Sequence, residues 1–307
     1  MPVSVERCNT PNDALHTLVR AGFTELQSVL SSSDQSLPRY VEREVERFLV
    51  CGDPREGFAW LNCADCDHHR IVPFTCKGRG FCPSCGGRRM ADRAARWVDT
   101  QLPRVAVRQY VVTVPWPRRW LLARRPDLAR GVLAIALREI QRWLRTEGTG
   151  QLTGETGSVT VVQRFGSALN LNLHFHCLVL DGLFIEDPET GAPRWRRARA
   201  PTTEDVERIV ERIADKAEAY LARQGHGRDE PGDEAEAAED DALAIIQSAS
   251  VAGRSATRRG RKASRVQLRG GRPFRLPPQC ATCDGYTVHA GVLIGAKDRS
   301  GLERICR

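Results

Sequence analysis

The sequence lacks the features that would tie the protein to a membrane or to a secretory route. None of its 307 residues belongs to an apolar run of eighteen, so no transmembrane helix is expected. The first residues, Met1–Pro11, lack the basic-then-apolar order of a signal peptide. These absences predict a cytoplasmic protein that has no membrane partner.

The composition favours a folded protein with an anionic partner. Hydrophobic residues make up 41% of the chain, so it can bury a sizeable core and form two or more structural units. The formal net charge is +8 and arginine is heavily used. The planar guanidinium suits phosphate, so nucleic acid is the first partner to consider. Many basic proteins bind nothing in particular, and charge alone leaves that alternative open.

The cysteines indicate metal rather than disulfides, because several of the 11 come in C-x-x-C pairs in a long chain. Fifteen residues separate the pair Cys63/Cys66 from the pair Cys82/Cys85. This spacing predicts a small zinc-ribbon or knuckle domain in which four thiolates hold one structural Zn²⁺. Metal binding would supply the folding energy of so small a unit. Three residues inside the motif are alternative ligands: Cys76, His68 and His69.

A basic helix is expected directly after the second cysteine pair. Apolar residues recur there at helical spacing, namely Met90, Ala94 and Trp97. Four arginines lie between them, namely Arg88, Arg89, Arg93 and Arg96. A solvated charged face is the default interpretation, but a basic helix that leaves a zinc knuckle favours contact with DNA phosphates.

The segment Asn170–Gly182 predicts a strand with two unlike faces, because residues two apart share a face. One face is apolar, and the other carries His174 and His176. Two imidazoles at i and i+2 can hold one metal ion and leave coordination positions open for substrate oxygens. A solvated strand face that happens to carry two histidines is the alternative.

Further elements predict an α+β fold with a largely antiparallel sheet and flanking helices. Strands are expected at 105–114, 159–165 and 286–295, and helices at 127–146, 203–221 and from 298 onward. The stretch 227–275 is first acidic and then strongly basic, which indicates a flexible charged insertion. The pair Cys280/Cys283 is consistent with half a zinc site, a redox pair or two buried thiols.

The order of these parts closely resembles the rolling-circle transposases of the IS91 family of bacterial insertion sequences, which are HUH (histidine–hydrophobic–histidine) nucleases. The resemblance covers roughly residues 40–307. The matching segments are F-C-P-S-C-G (81–86), R-Q-Y-V-V-T-V-P (108–115), Q-R-F-G-S-A-L-N-L-N-L-H-F-H-C-L-V-L-D-G (163–182), H-A-G-V (289–292) and G-L-E-R-I-C-R (301–307). It implies a zinc-binding domain with its basic helix at 51–100 and an HUH transposase domain at 101–307 that lacks its C-terminal end. Helical spacing predicts a helical region before them, at 1–50.

The resemblance also implies a mechanism. Such enzymes nick and rejoin single-stranded DNA at the ends of an insertion sequence through a 5′-phosphotyrosine intermediate. His174 and His176 match the pair that holds the catalytic Mg²⁺ or Mn²⁺, and Gln163 and His289 are the candidates for a third ligand. The implied location is the bacterial nucleoid.

The sequence departs from the family's pattern at the position of the nucleophile. In the family the catalytic tyrosine follows the stretch that matches Gly301–Arg307, and the sequence ends there. None of the four tyrosines in the sequence occupies that motif: Tyr40, Tyr110, Tyr220 and Tyr286. The expectation is therefore a C-terminally truncated transposase without its nucleophile. The rival hypotheses are a non-enzymatic zinc-dependent DNA-binding protein and a hydrolytic zinc site at the histidines.

Overall fold

The structure is a computed structural model that describes residues 4–5, 13–66, 68–78, 82–151, 153–166, 171–227 and 276–306. The expected charged insertion, apart from its first residue, lies outside the described residues. None of the helices in these ranges has the length and apolar character that a membrane span requires.

The N-terminal part combines helices with a small sheet. Helices α1 (Asp13–Ser31) and α2 (Arg39–Leu49) precede strands β2 (Phe58–Asn62) and β3 (His69–Pro73). These two strands form an antiparallel hairpin, and the short strand β1 (Ser4–Val5) pairs in parallel with β3. Helix α3 (Pro83–Arg96) follows and runs into one turn of π-helix at Trp97–Gln101.

The larger part is built on a five-stranded sheet in which every neighbouring pair is antiparallel. Its order is β5-β6-β4-β10-β9. The strands are β4 (Val107–Thr113), β5 (Ser158–Phe165), β6 (Leu171–Leu180), β9 (Cys280–Cys283) and β10 (Tyr286–Ile294). The predicted α+β class with a mainly antiparallel sheet is confirmed.

Helices α4 (Trp116–Arg124), α5 (Pro126–Trp143) and α6 (Thr203–Arg223) cover one face of this sheet. Their apolar residues form one core with the inward residues of four strands, among them Tyr110, Phe175 and Val288. A capping box precedes α6: the Thr202 hydroxyl accepts from the backbone N–H of Asp205, whose carboxylate accepts from the N–H of Thr202. This cap fixes where α6 begins.

The opposite face of the sheet carries the histidines and is covered at its far end by helix α7 (Arg299–Cys306). There Leu302 and Cys306 pack with Leu178 and Leu180 of β6 and with Ala94 of α3. Helix α3 therefore reaches from the cysteine region to the sheet.

The strand expected over Asn170–Gly182 ends earlier, because the chain turns at Asp181 and begins a hairpin that the sequence analysis did not predict. This hairpin consists of β7 (Gly182–Glu186) and β8 (Pro193–Arg197). Gly182 allows β7 and β8 to approach each other closely, because a Cβ atom at residue 182 would lie 2.3 Å from the carbonyl oxygen of Arg196. A β-carbon at that distance would clash with backbone, so the turn requires glycine.

Candidate metal centres

Four cysteine thiols meet in the N-terminal part of the protein: Cys51, Cys76, Cys82 and Cys85. Their sulfurs all lie within 4.8 Å of one another, and the individual S···S contacts from Cys51 to Cys82 and Cys85 are 3.6 and 3.7 Å. A tetrahedron with Zn–S bonds of about 2.3 Å has S···S edges of about 3.8 Å. The cluster therefore has the dimensions of a four-thiolate zinc site.

Backbone hydrogen bonds bring these cysteines together from distant parts of the sequence. The N–H of Gly52 donates to the carbonyl of Phe74 at 3.0 Å, which joins the end of α2 to the base of the β2–β3 hairpin. This contact sets Cys51 beside Cys76, whose N–H donates to the Cys51 sulfur at 3.3 Å. Cys82 and Cys85 come from the first turn of α3.

The observed cluster differs from the expected set of Cys63, Cys66, Cys82 and Cys85. The register of the hairpin, with Asn62 opposite His69, puts Cys63 and Cys66 in the turn at its far tip, where both are exposed. Cys76, which was expected only as a substitute ligand, belongs to the cluster. The alternatives His68 and His69 do not belong to it, and Nδ1 of His69 lies 2.7 Å from Oδ1 of Asn62.

The thiols of the cluster differ in acidity. Burial raises the pKa of Cys51 and of Cys76. Burial would also raise the pKa of Cys85, but hydrogen bonds from Thr75, Cys76 and Cys51 lower it to about 7. Because a thiol binds metal as the thiolate, Zn²⁺ would displace the protons that these sulfurs share.

Helix α3 starts within this cluster and exposes the predicted arginines to solvent: Arg88, Arg89, Arg93 and Arg96. Arg89 donates to the carbonyl of Lys77 at 2.7 Å, and Arg93 lies 6.0 Å from the ring centroid of Trp97. The expected packed side is only partly present. Ala94 is buried, but Met90 is 51% exposed.

The histidine pair lies on β6 as expected, with both side chains on the sheet face opposite α5 and α6. The ring centroids of His174 and His176 are 4.8 Å apart at an interplanar angle of 62°. His174 is buried, and Nε2 of His176 is a buried atom without a hydrogen-bond partner among the described residues. Burial, followed by the neighbouring charge of His174, lowers the pKa of His176. Both effects favour the neutral imidazole, which is the form that binds metal.

Each ring is held through Nδ1. Nδ1 of His174 is 2.6 Å from the backbone carbonyl oxygen of Asn172, and Nδ1 of His176 is 3.0 Å from Nε2 of Gln109 on β4. A carbonyl oxygen only accepts, so Nδ1 of His174 carries a proton, and in the neutral ring its Nε2 has the lone pair. The two Nε2 atoms could hold one metal ion between them when each neutral ring carries its proton on Nδ1.

The two candidates for a third ligand lie at different distances from the pair. Gln163 of β5 is directly opposite His174, and its side-chain amide donates to the carbonyl of Phe165. His289 of β10 is opposite Val111, which is itself opposite His176. His289 is therefore on the same face but two strands away, or about 10 Å at ordinary strand spacing.

The pair Cys280/Cys283 does not form a half-site. Both residues belong to β9, where an offset of three places their side chains on opposite faces. Cys280 is opposite His289, whereas Cys283 packs against the core beneath the helices. Cys280 is buried and Cys283 is partly buried, which is closest to the interpretation as two buried thiols.

Comparison with known families identifies a zinc-binding domain and a transposase domain. A family model described as a transposase zinc-binding domain matches residues 23–114. A second model, described as "Putative transposase", matches residues 157–307. Searches of curated proteins and of solved structures gave no match.

A transposase zinc-binding domain followed by a transposase domain in one chain identifies the protein as a transposase. The chain belongs to the IS91 family of transposases, with an N-terminal zinc-binding domain. Its zinc is structural, and DNA is its partner.

Proposed function

We propose that this transposase binds single-stranded DNA at the ends of a bacterial insertion sequence, in the nucleoid, and nicks and rejoins it through a 5′-phosphotyrosine. The observation that carries the proposal is the pair His174 and His176, two neighbouring imidazoles of which one leaves a buried, unpartnered Nε2. A solvated strand face would not bury an unpartnered ring nitrogen, because such an atom costs free energy unless it finds a partner.

The two imidazoles would hold Mg²⁺ or Mn²⁺ through Nε2. When bound, the metal would polarise the scissile phosphate and stabilise charge on its oxygens. Imidazole is not the usual ligand of Mg²⁺, so phosphate and water oxygens would complete the coordination. Gln163, on the strand beside His174, offers the nearer of the two candidate third ligands.

The nucleophile we propose is the tyrosine that follows the Gly301–Arg307 motif in the family. The tyrosines of the sheet do not suit the role. Tyr110 and Tyr286 are fully buried under the opposite face, burial raises the pKa of Tyr110, and the Tyr286 hydroxyl donates to Glu218. A buried phenol that faces away from the histidines cannot reach their metal.

We further propose that the zinc-binding domain contacts DNA through α3 and that the zinc ligands are Cys51, Cys76, Cys82 and Cys85. The zinc would fix the first turn of α3, and the exposed arginines further along the helix would contact phosphates. Phosphate contacts position a protein on DNA without reading its sequence.

The decisive experiment uses a form of the protein that includes the family's tyrosine after Arg307. With Mn²⁺ and a single-stranded oligonucleotide from an element end, we expect a covalent protein–DNA adduct on a denaturing gel. The double variant His174→Ala/His176→Ala should form no adduct, whereas the control His226→Ala at the end of α6 should form as much as the parent.

Cleavage that survives in the double variant would contradict the proposal. Cleavage without any adduct would favour a hydrolytic zinc site at the histidines. DNA binding that depends on zinc, without cleavage in any form, would favour the non-enzymatic binding protein.

A further inference from the structure

We propose that Gln109 sets the tautomer of His176 and so determines whether Nε2 of His176 can bind a metal. Gln109 is a half-buried residue of β4, and its side-chain Nε2 lies 3.0 Å from Nδ1 of His176. The inference rests on the proposed function, since it takes His176 as a metal ligand. It adds a positioning residue that is not itself expected to touch the metal.

The single proton of the neutral ring links Gln109 to the metal-binding atom of His176. A neutral imidazole carries one N–H and one lone pair, so the partner of Nδ1 decides which atom has which. An amide NH₂ can only donate. With the Gln109 nitrogen toward the ring, Nδ1 of His176 accepts, and its Nε2 carries the hydrogen and cannot bind a metal.

Rotation of the Gln109 amide by half a turn reverses this assignment. The oxygen then faces Nδ1, which donates to it, and Nε2 gains the lone pair. The amide nitrogen and oxygen have nearly the same size, so the rotation requires little change in packing. Gln109 therefore has two orientations, one suited to the metal-free site and the other to the loaded site.

His174 has no such freedom. Its Nδ1 faces the backbone oxygen of Asn172 at 2.6 Å, and a carbonyl can only accept. In the neutral ring, Nε2 of His174 therefore carries the lone pair. One histidine of the pair is fixed by the main chain, and the other is adjustable through a side chain.

The strand that carries Gln109 is firmly held. The preceding residue, Arg108, points to the other side of β4, where its buried guanidinium donates to Asp181 and to the carbonyl of Ala290. These contacts tie β4 to the end of β6 and to β10. Gln109 is thereby fixed in position, and its amide rotation is left as the adjustable part.

The first test reads the tautomers directly. Long-range ¹H–¹⁵N spectra of the metal-free protein should show the Nε2–H form at His176 and the Nδ1–H form at His174. Saturating Mg²⁺ should convert His176 to the Nδ1–H form. A metal-free His176 that is already in the Nδ1–H form would overturn the inference.

The second test measures the affinity of the histidine site for Mn²⁺. Binding at this site is defined as the binding that is lost in the His174→Ala variant. Gln109→Glu presents oxygens alone and should keep His176 in the metal-binding tautomer, so Mn²⁺ should bind at least as tightly as to the parent. Gln109→Leu removes the partner and should weaken binding about 10–100-fold, as loss of such supporting hydrogen bonds does at other metal sites. The same change at exposed Gln101 is the matched control.

The two proposals fail in different ways. If the parent protein binds no Mn²⁺ at the histidines, the proposed function fails. If the parent binds Mn²⁺ and folded Gln109→Leu binds it equally well, the metal site stands and the role of Gln109 is refuted. Thermal melting of each variant verifies that it folds.

Discussion

The guanidinium of Arg108 donates to the carboxylate of Asp181 at 2.8 Å, with side-chain exposures of only 3% and 1%. Two charges so far from water persist only because each is paired. Arg108 also donates to the carbonyl of Ala290 at 3.0 Å, and this hydrogen bond joins the ion pair to β10. The pair therefore ties β4 to the end of β6 and to β10, on the face of the sheet opposite the histidines.

Loss of this ion pair should destabilise the whole sheet. Arg108→Ala leaves the Asp181 carboxylate buried and unpaired, which typically costs about 3–5 kcal/mol. The free energy of unfolding in urea measures the effect. Arg125→Ala is the matched control, because its partner Asp127 forms an exposed pair that is worth less than about 1 kcal/mol. Equal losses in the two variants would contradict the assigned role.

The zinc ligands can be tested by comparing cysteines inside and outside the cluster. Cys51→Ser and Cys76→Ser should lose bound zinc and melt at a lower temperature, since each removes one of four thiolates. Cys63→Ser, at the tip of the hairpin, should keep one zinc per chain. Elemental analysis of the purified variants measures this. Zinc loss in Cys63→Ser with retention in Cys51→Ser would support the spacing-based set instead.

DNA binding through α3 predicts a change in salt dependence. Arg93→Gln/Arg96→Gln should bind single-stranded DNA more weakly at every sequence. The slope of log K against log salt should fall by about 0.7 for each phosphate that the variant no longer neutralises. Titrations monitored by fluorescence anisotropy at several salt concentrations measure both quantities. Arg130→Gln on α5, beneath the other face of the sheet, is the control and should leave the slope unchanged.

The N-cap of α6 predicts a dependence of stability on pH. Burial alone would raise the pKa of Asp205, but hydrogen bonds from Arg199 and from the N–H of Thr202 hold it well below its ordinary value. Because the pKa of Asp205 is lower in the folded protein than in the unfolded chain, its ionised form stabilises the fold. This contribution is fully present above the unfolded-chain pKa of about 3.9 and is lost as the pH falls from there toward the folded-state pKa.

Parent and Asp205→Asn should therefore differ in unfolding free energy at pH 7, and the difference should shrink below about pH 4. Urea denaturation at pH 7, 4 and 3 gives the comparison. The exposed Asp215 on the same helix provides the control, since Asp215→Asn should change little at any pH. A difference that grows on acidification would have the wrong sign and would refute the prediction.

The histidine strand was predictable because its information is local. Alternation of apolar and polar residues from 171 to 176 determines which side chains share a face, and the sheet preserves that pattern. The strand pairings that bring Gln109 to His176 are not local. They depend on register between segments 67 residues apart, which no pattern within either strand reveals.

The thiol cluster was only half predictable for the same reason. C-x-x-C spacing indicates that Cys82 and Cys85 share a turn, but it does not identify their partners. The partners come from the end of α2 and the base of a hairpin, joined by the bond from Gly52 to Phe74. One signal was available: Gly52 has φ of 80° directly after Cys51, and a glycine that ends a helix places its neighbour in a tight turn.

Helix α3 also has a mechanical consequence. Its 14 residues span about 21 Å between a first turn anchored in the thiol cluster and a last turn packed near Leu178 and α7. Because both ends of the helix are held in place, a DNA strand bound along it would reach the histidines at a fixed distance from the bound phosphates. The distance from the gripped nucleotides to the cut would then be set by the length of this helix.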